Sequence, residues 1–504
     1  MFSRVKKLFL LIGVLTLVWP SFVFSEKQVL SESTTECIDC HITATPGIVA
    51  DWRKSRMANI TPAEALKKDK LSRRISADTI PAKLAEVSVG CYECHGLNSD
   101  SHKDTYEHNG FTIHTVVSPL DCATCHAVEV TQFGENIMSQ AYGNLMNNQV
   151  HKMLVDEING TPTFDGTHIG LKSQDKATDA ESCLYCHGTI VEVKGTKTRD
   201  TDLGEMTFPV LSGWPNQGVG RINPDGSKGS CSSCHARHQF SIKLARQPYT
   251  CSECHKGPDV PAYKVYSVSK HGNIFSSHGK EWDFNAVPWV VGEDFDSPTC
   301  ATCHISLLTD PDGEVIAERS HRMNDRLANR LFGIFSTAHP KSADTTVIKN
   351  KLGLPIPAEI TGEPVAEYLI DQEEQGRRED KMKKTCLACH SKTWVDNQFI
   401  RMHKVIAETN DKTLTATKVL ASAWEKGAAK GLSFKQGLKI EDSIFDETIE
   451  KMWVEQWLFF ANSTRYASAM AGADYGVFAN GRWYMNKNIQ EMDDWLDFKL
   501  NVMK

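Results

Sequence analysis

The stretch Cys231–Asp259, CSSCHARHQFSIKLARQPYTCSECHKGPD, holds two copies of C-x-x-C-H, at Cys231/Cys234/His235 and Cys251/Cys254/His255. In this pattern the two cysteines form thioethers to the vinyl groups of one haem. The histidine that follows falls beneath the iron as its proximal ligand. Only 20 residues separate the two attachment points, so two haems must lie close together. His238, three residues past the first motif, is placed to ligate another iron.

The rest of the chain repeats the device. All 16 cysteines fall in eight such motifs: Cys37/Cys40, Cys91/Cys94, Cys122/Cys125, Cys183/Cys186, Cys231/Cys234, Cys251/Cys254, Cys300/Cys303 and Cys386/Cys389. Their proximal histidines are His41, His95, His126, His187, His235, His255, His304 and His390. Zinc sites use paired cysteines too, but do not need a histidine directly after every second one. A disulfide framework gives no reason for that histidine either. The count therefore predicts eight covalently attached haem c groups and eight irons.

Eleven of the 19 histidines remain for the other axial positions: His102, His108, His114, His151, His168, His238, His271, His278, His321, His339 and His403. Among them His114, His168, His238, His271, His321 and His403 are taken as distal ligands. Eight would be needed if every haem were six-coordinate and seven if one is open, so the count permits both. Six-coordinate haems transfer electrons; an open position lets the iron bind a small molecule.

Residues 1–25 read as a cleaved secretory signal. Arg4, Lys6 and Lys7 form the positive segment, Leu8 to Val18 the apolar one, and Val23-Phe-Ser25 the cleavage site. No other apolar run approaches a membrane span. Export agrees with haem c, which is attached outside the cytoplasm, and the mature chain is expected in a bacterial-type periplasm. Its charge is near −10, the full chain's −7 less the leader's three positive charges, so nothing suggests nucleic acid. The mature length, 504 − 25 = 479 residues, leaves about 60 per haem, so much of the buried apolar surface must be porphyrin.

Helical periodicity runs over Thr61 to Val87, Asn136 to Val155 and the charged stretch Glu318 to Arg330 that carries His321. Thr161 to Thr167 is turn-rich, Lys194 to Gly229 reads as a long loop, and His271 and His278 flank a turn. Residues 26–362 form a haem-packed domain with the first seven motifs, and 363–504 a helical domain with the eighth. In the second, Trp394 to Trp424 is a helix weakened by Thr409 to Thr417. Asp442 to Met470 is stronger, with Phe445, Ile449, Met452, Trp453, Trp457 and Phe460 at helical spacing and Asp442 or Ser443 as cap. Strand signals are weak. The fold class is mainly α: short helices and loops wrapping eight haems, then a C-terminal bundle of long helices.

The chain resembles the octahaem hydroxylamine oxidoreductase family over nearly all its mature length. The resemblance rests on the eight motifs, Cys231–Phe240, Lys256-Gly-Pro-Asp259, Ser269-Lys-His-Gly272, Asn462-Ser-Thr-Arg465 and Asp474-Tyr475. It implies a soluble periplasmic protein, often a homotrimer, with seven bis-histidine haems and one catalytic haem. That haem maps onto Cys183, Cys186 and His187. Members that oxidise hydroxylamine carry an Asp-His pair after the sixth motif and a C-terminal tyrosine cross-linked to the catalytic haem. Here Asp259 is followed by Val260, and Tyr466, Tyr475 and Tyr484 are the tyrosines to weigh for the cross-link. The departure resembles the reductive branch, which lacks the cross-link.

The expected activity is reduction of nitrite and hydroxylamine, with His187 and Asp259 as catalytic residues and Asp259 as proton donor or water organiser. A small c-type cytochrome or a membrane quinol dehydrogenase is the expected redox partner. Arg237 and Lys243 are candidates to admit an anion. Oxidation of hydroxylamine at the same haem, and electron transfer alone, are the alternatives.

Overall fold

The computed structural model describes residues 29–201, 204–433, 439–440 and 442–503. The expected signal segment lies outside them. Among the described residues no helix is long and apolar enough to cross a membrane.

Short helices dominate the first three-quarters of the chain. Several are little more than a motif: Cys91–His95, Cys183–His187 and Cys300–His304. One turn of helix sets both cysteines on one side with the histidine beneath them. The turns are then stopped locally. Gly188 follows His187 at φ 91°, a left-handed conformation that suits glycine. A side chain there would also strike the backbone of Arg221, 2.2 Å from its Cβ.

The structure corrects several sequence expectations. The Thr61–Val87 periodicity yields only the helices Pro62–Leu66 and Ala82–Ala85. Asn136–Val155 breaks into Ile137–Gln140, Ala141–Met146 and Gln149–Asn159, with His151 in the first turn of the last. Residues 318–328 are not helical, and Asn329–Arg330 pairs with Thr337–Ala338 as a small hairpin. The expected turn around His271 and His278 is the helix Lys270–His278. The expected loop opens with a hairpin, Glu192–Thr201 against Gly204–Ser212. Two more hairpins join Thr105–His108 to Phe111–His114 and Thr161–Phe164 to Ile169–Lys172. The first turns at Asn109-Gly110, both at positive φ, the signature of a two-residue hairpin turn.

The C-terminal region is a bundle of long helices: Gln372–Leu387, Lys392–Glu425, a continuous helix over 448–470, and Arg482–Val502. Thr409, Thr413 and Thr417 do not break the second. Each hydroxyl donates to the carbonyl four residues back, at 2.6, 3.0 and 2.8 Å, so no polar group is stranded in the core. The third helix begins at Thr448 with Glu447 at its cap, not at Asp442 or Ser443, and widens to π geometry over Glu455–Ala461.

Its apolar face packs as expected. Phe445, Ile449, Trp453 and Trp457 are buried with Leu420, Trp424 and Met492. Each such side chain contributes about 1.5–3 kcal/mol on burial. The indoles also find partners: Trp453 Nε1 donates to Thr417 Oγ1 at 2.8 Å and Trp424 Nε1 to Glu450 Oε1 at 2.7 Å.

Candidate functional site

The motif histidines are prepared as iron ligands. His95 Nδ1 faces the His114 carbonyl oxygen at 2.8 Å, and His187 Nδ1 that of Ala141 at 3.3 Å. Such a bond fixes the ring and leaves Nε2 for a metal. Burial pushes His95, His235 and His304 down to about 4, so all three are neutral near pH 7, as a ligand must be.

Four motif imidazoles have a second imidazole opposite. His41 faces His108 at 6.1 Å between centroids, His95 faces His238 at 6.5 Å, His235 faces His321 at 6.5 Å, and His390 faces His271 at 6.0 Å. With metal–nitrogen bonds of about 2.0 Å and about 1.2 Å from nitrogen to centroid, two imidazoles on one iron have centroids roughly 6.4 Å apart. The observed separations therefore fit haem iron. The pairs include three of the expected distal residues, His238, His271 and His321. His108 and His339 stand where other distal ligands would. His108 Nδ1 and both ring nitrogens of His339 are buried without partners. His339 is held low, to about 3, by burial, with Arg330, Arg378 and His304 adding to it.

The other three expected distal residues sit elsewhere. His114 stands 6.1 Å from His95, the motif imidazole that His238 also faces, but its Nε2 bonds the Leu97 carbonyl at 2.9 Å and its ring stacks on His102 at 3.6 Å. His168 is exposed at a hairpin tip, held there by its N–H to Asp165. His403 pairs with Glu379 at 2.7 Å. Polar neighbours of this kind are invisible to a count of histidines.

The cysteine sulfurs, which stand where thioether sulfurs would, form a connected path. Cys122 neighbours Cys231, Cys186 neighbours Cys254, and Cys251 neighbours Cys300, all as free thiols. Cys37 lies in electrostatic reach of Cys91, Cys94 of Cys125, Cys234 of Cys251 and Cys303 of Cys386. Numbered along the chain, the motifs thus run 1-2-3-5-6-7-8, with motif 4 joined to motif 6. Cys40 and Cys389, at the two ends of this path, are the exposed cysteines among the described residues.

Motif 4 has a different surrounding. Among the described residues, no imidazole faces His187 at the separation of the four pairs; the same is true of His126, His255 and His304. Asp259 acts electrostatically on both His187 and His255, favouring their charged forms. Tyr466 is pushed up to about 12 by burial, with Arg330 and Arg465 opposing and Asp259 reinforcing. Arg330, whose guanidinium lies 5.4 Å from the Phe332 ring, has no carboxylate ion-paired with it among the described residues. It lines a cavity of about 30 Å³ with His151 and Trp457.

The segment Asn462–Tyr466 ties these parts together. Asn462 Nδ2 donates to the Asp259 carbonyl at 2.9 Å. Arg465, fully buried, donates to the carbonyls of Leu331, Gly333 and Ile334 at 3.2, 2.8 and 3.1 Å and to Asn410 Oδ1 at 2.9 Å. One helix turn therefore fixes the Asp259 loop, the Arg330 hairpin and Tyr466. Tyr475 and Tyr484 lie apart: the Tyr475 carbonyl accepts from Ser463 Oγ, and Tyr484 stacks on Phe460 at 5.5 Å. Arg237 stacks on Trp214 at 4.9 Å.

Comparison with known proteins gives the same picture. A family model described as seven times multi-haem cytochrome CxxCH matches residues 223–323, and one for cytochrome c554 and c-prime matches residues 121–207. A probable nitrite reductase-hydroxylamine oxidoreductase fusion protein of Kuenenia stuttgartiensis is 27% identical over 294 residues, 54% of this chain. The match spans only 25% of that longer protein. A solved structure of a hypothetical multiheme protein superposes with a TM-score of 0.87 at 40% identity, covering 94% of this chain and 97% of that one. The Kuenenia stuttgartiensis reducing HAO-like protein complex Kustc0457/Kustc0458 shares the fold at a TM-score of 0.58 and 18% identity, covering 94% of this chain and 86% of that one.

Proposed function

Because the chain belongs to the hydroxylamine oxidoreductase family of multihaem c-type cytochromes, we propose that it reduces nitrite and hydroxylamine, to ammonia, at the haem held by Cys183, Cys186 and His187. The observation that carries this is that Asp259 acts on both His187 and Tyr466, and Tyr466 in turn on Arg330, which has no ion-paired carboxylate among the described residues. Eight covalent haem c groups fill the eight motifs, one per cysteine pair.

Cys183, Cys186 and His187 would hold a haem c, which would supply redox chemistry for a bound small nitrogen compound. The protein's own residues do the rest. His187, oriented by the Ala141 carbonyl at 3.3 Å, would be the haem's protein ligand. Arg330 attracts an anion and orients it. The reduction consumes protons, and Asp259 and Tyr466 are the groups placed to supply them. Tyr466, raised to about 12, stays protonated near neutral pH and can donate. Val260 stands where hydroxylamine-oxidising relatives of the resemblance carry histidine, which favours the reductive direction.

Electrons enter or leave at the ends of the sulfur path, beside exposed Cys40 and Cys389, from a small c-type cytochrome or a membrane quinol dehydrogenase. The protein works in the periplasm, as a trimer. The test is consumption of nitrite and hydroxylamine by the haem-loaded protein with a reduced viologen dye, with ammonium measured as product. No consumption of either compound would overturn the proposal. A haem adduct on the Tyr466 peptide would favour the oxidative direction instead.

A further inference from the structure

One buried cluster belongs to none of the histidine pairs. His102 and His114 stack with planes 5° apart, and Asp104 lies beside them. Their free atoms, both Nδ1 and one carboxylate oxygen, lie within 4.8 Å of one another, each buried and without a hydrogen-bond partner.

We propose that His102, His114 and Asp104 bind one divalent metal ion of the zinc class, separate from the haem irons. The outer contacts already have the form such a site needs. His114 Nε2 is 2.9 Å from the Leu97 carbonyl and His102 Nε2 is 3.2 Å from Asp121. Each ring thus has an acceptor for its Nε2–H, which turns the Nδ1 lone pair inward. Asp104 uses its second oxygen to accept from the Thr115 and Val116 amides at 3.0 and 2.8 Å, which fixes the first toward the imidazoles.

Charge points the same way. Asp104, Asp121 and Asp225 surround His102, all with side chains at most 2% exposed. No lysine or arginine is ion-paired with any of the three among the described residues. Three buried carboxylates against one imidazolium, with the buried Arg221 guanidinium acting on Asp225 from outside the cluster, still leave a net negative charge, and buried charge is costly unless paired or bound to metal. Without metal, His102 faces Asp104 at 3.4 Å and Asp121 at 3.2 Å, and these carboxylates outweigh burial and favour a proton on its ring. A divalent ion replaces that proton and adds one more positive charge. It also gives His114 Nδ1 the partner that a protonated His102 does not.

The test is metal analysis of the haem-loaded protein after growth and dialysis with zinc as the only added divalent transition metal. X-ray absorption at the zinc edge then reads the ligands. The expected result is one zinc per chain beyond the haem iron, with nitrogen and oxygen neighbours and the outer scattering of two imidazoles. Asp104→Asn and His114→Asn, each checked for unchanged haem spectra, should retain at least about tenfold less zinc. Iron alone in the wild type, or zinc with sulfur ligands, would overturn the proposal. Iron alone would assign the cluster to an imidazolium buffered by three carboxylates.

Discussion

Replacing Arg465 by Met tests whether the helix turn at Asn462–Tyr466 assembles the site. Its guanidinium makes five hydrogen bonds: to the carbonyls of Leu331, Gly333 and Ile334, to Asn410 Oδ1, and to Asn462 Oδ1 at 3.3 Å. Methionine matches the stem but leaves the carbonyls of Leu331, Gly333 and Ile334 and Asn462 Oδ1 without this donor, while Asn410 Oδ1 keeps the Ser336 amide at 3.0 Å. A buried acceptor without a partner costs about 1–3 kcal/mol. Two terms reduce the sum. The Arg330 hairpin shifts to let water in, and removing a buried cation that has no carboxylate relieves its desolvation, which already pulls Arg465 down to about 9. The net expectation is a loss of about 3–5 kcal/mol. Scaled per residue, unfolding entropy gives about 1 °C per kcal/mol for a chain of this length, hence a melting temperature about 4 °C lower. The assays are calorimetry of the haem-loaded protein and steady-state kinetics on the same sample. The KM for nitrite should rise with the melting shift, because the loop that loosens carries Arg330. A melting temperature within 1 °C of wild type, with unchanged KM, would refute the reasoning, since it would mean that these bonds are made equally well by water.

Three further outcomes are expected. Arg330→Gln should raise the KM for nitrite about 10–100-fold, the loss of one charge-assisted contact, while leaving that for hydroxylamine, neutral at pH 7, within about twofold; equal changes for both would move Arg330 from substrate to scaffold. His108→Ala should add one high-spin haem to the oxidised spectrum, because His108 faces His41, whereas His114→Ala should add none. Glu450 is raised from 4.5 to about 7 by burial, with Asp446 adding to it. A carboxyl whose folded value exceeds its unfolded one binds more protons when folded, so this group favours folding below about pH 4.5 and loses that contribution as pH rises to about 7. The loss approaches about 3 kcal/mol; a Glu450→Gln protein should show a flatter melting profile between pH 5 and 7.5, and parallel profiles would contradict the assignment.

Much of this molecule was legible because covalent chemistry leaves its mark in sequence. Eight C-x-x-C-H motifs mark a multihaem cytochrome c, and helical spacing of Ile449, Trp453 and Trp457 marked the bundle. What failed was local secondary structure between motifs. Periodicity over 61–87 and 318–330 came from apolar residues meeting several separate surfaces, not one face of one helix. Three of the six expected distal histidines, His238, His271 and His321, stand opposite motif histidines, and the other three were misjudged for a related reason. Which imidazole faces which depends on chain segments far apart, as His41 with His108 or His390 with His271 shows. Asn109-Gly110 was a usable signal for the hairpin that delivers His108, and it went unread. The place of Tyr466 beside Asp259 and Arg330 had no local signal, since it depends on Arg465 reaching across to carbonyls more than 130 residues away.

Electron paramagnetic resonance of the oxidised protein, with and without nitrite, tests the central claim most directly. The account predicts one high-spin haem among low-spin ones, changed by nitrite and lost as a distinct signal in a His187 variant. Low-spin haems only, indifferent to nitrite, would contradict it and leave the protein an electron carrier.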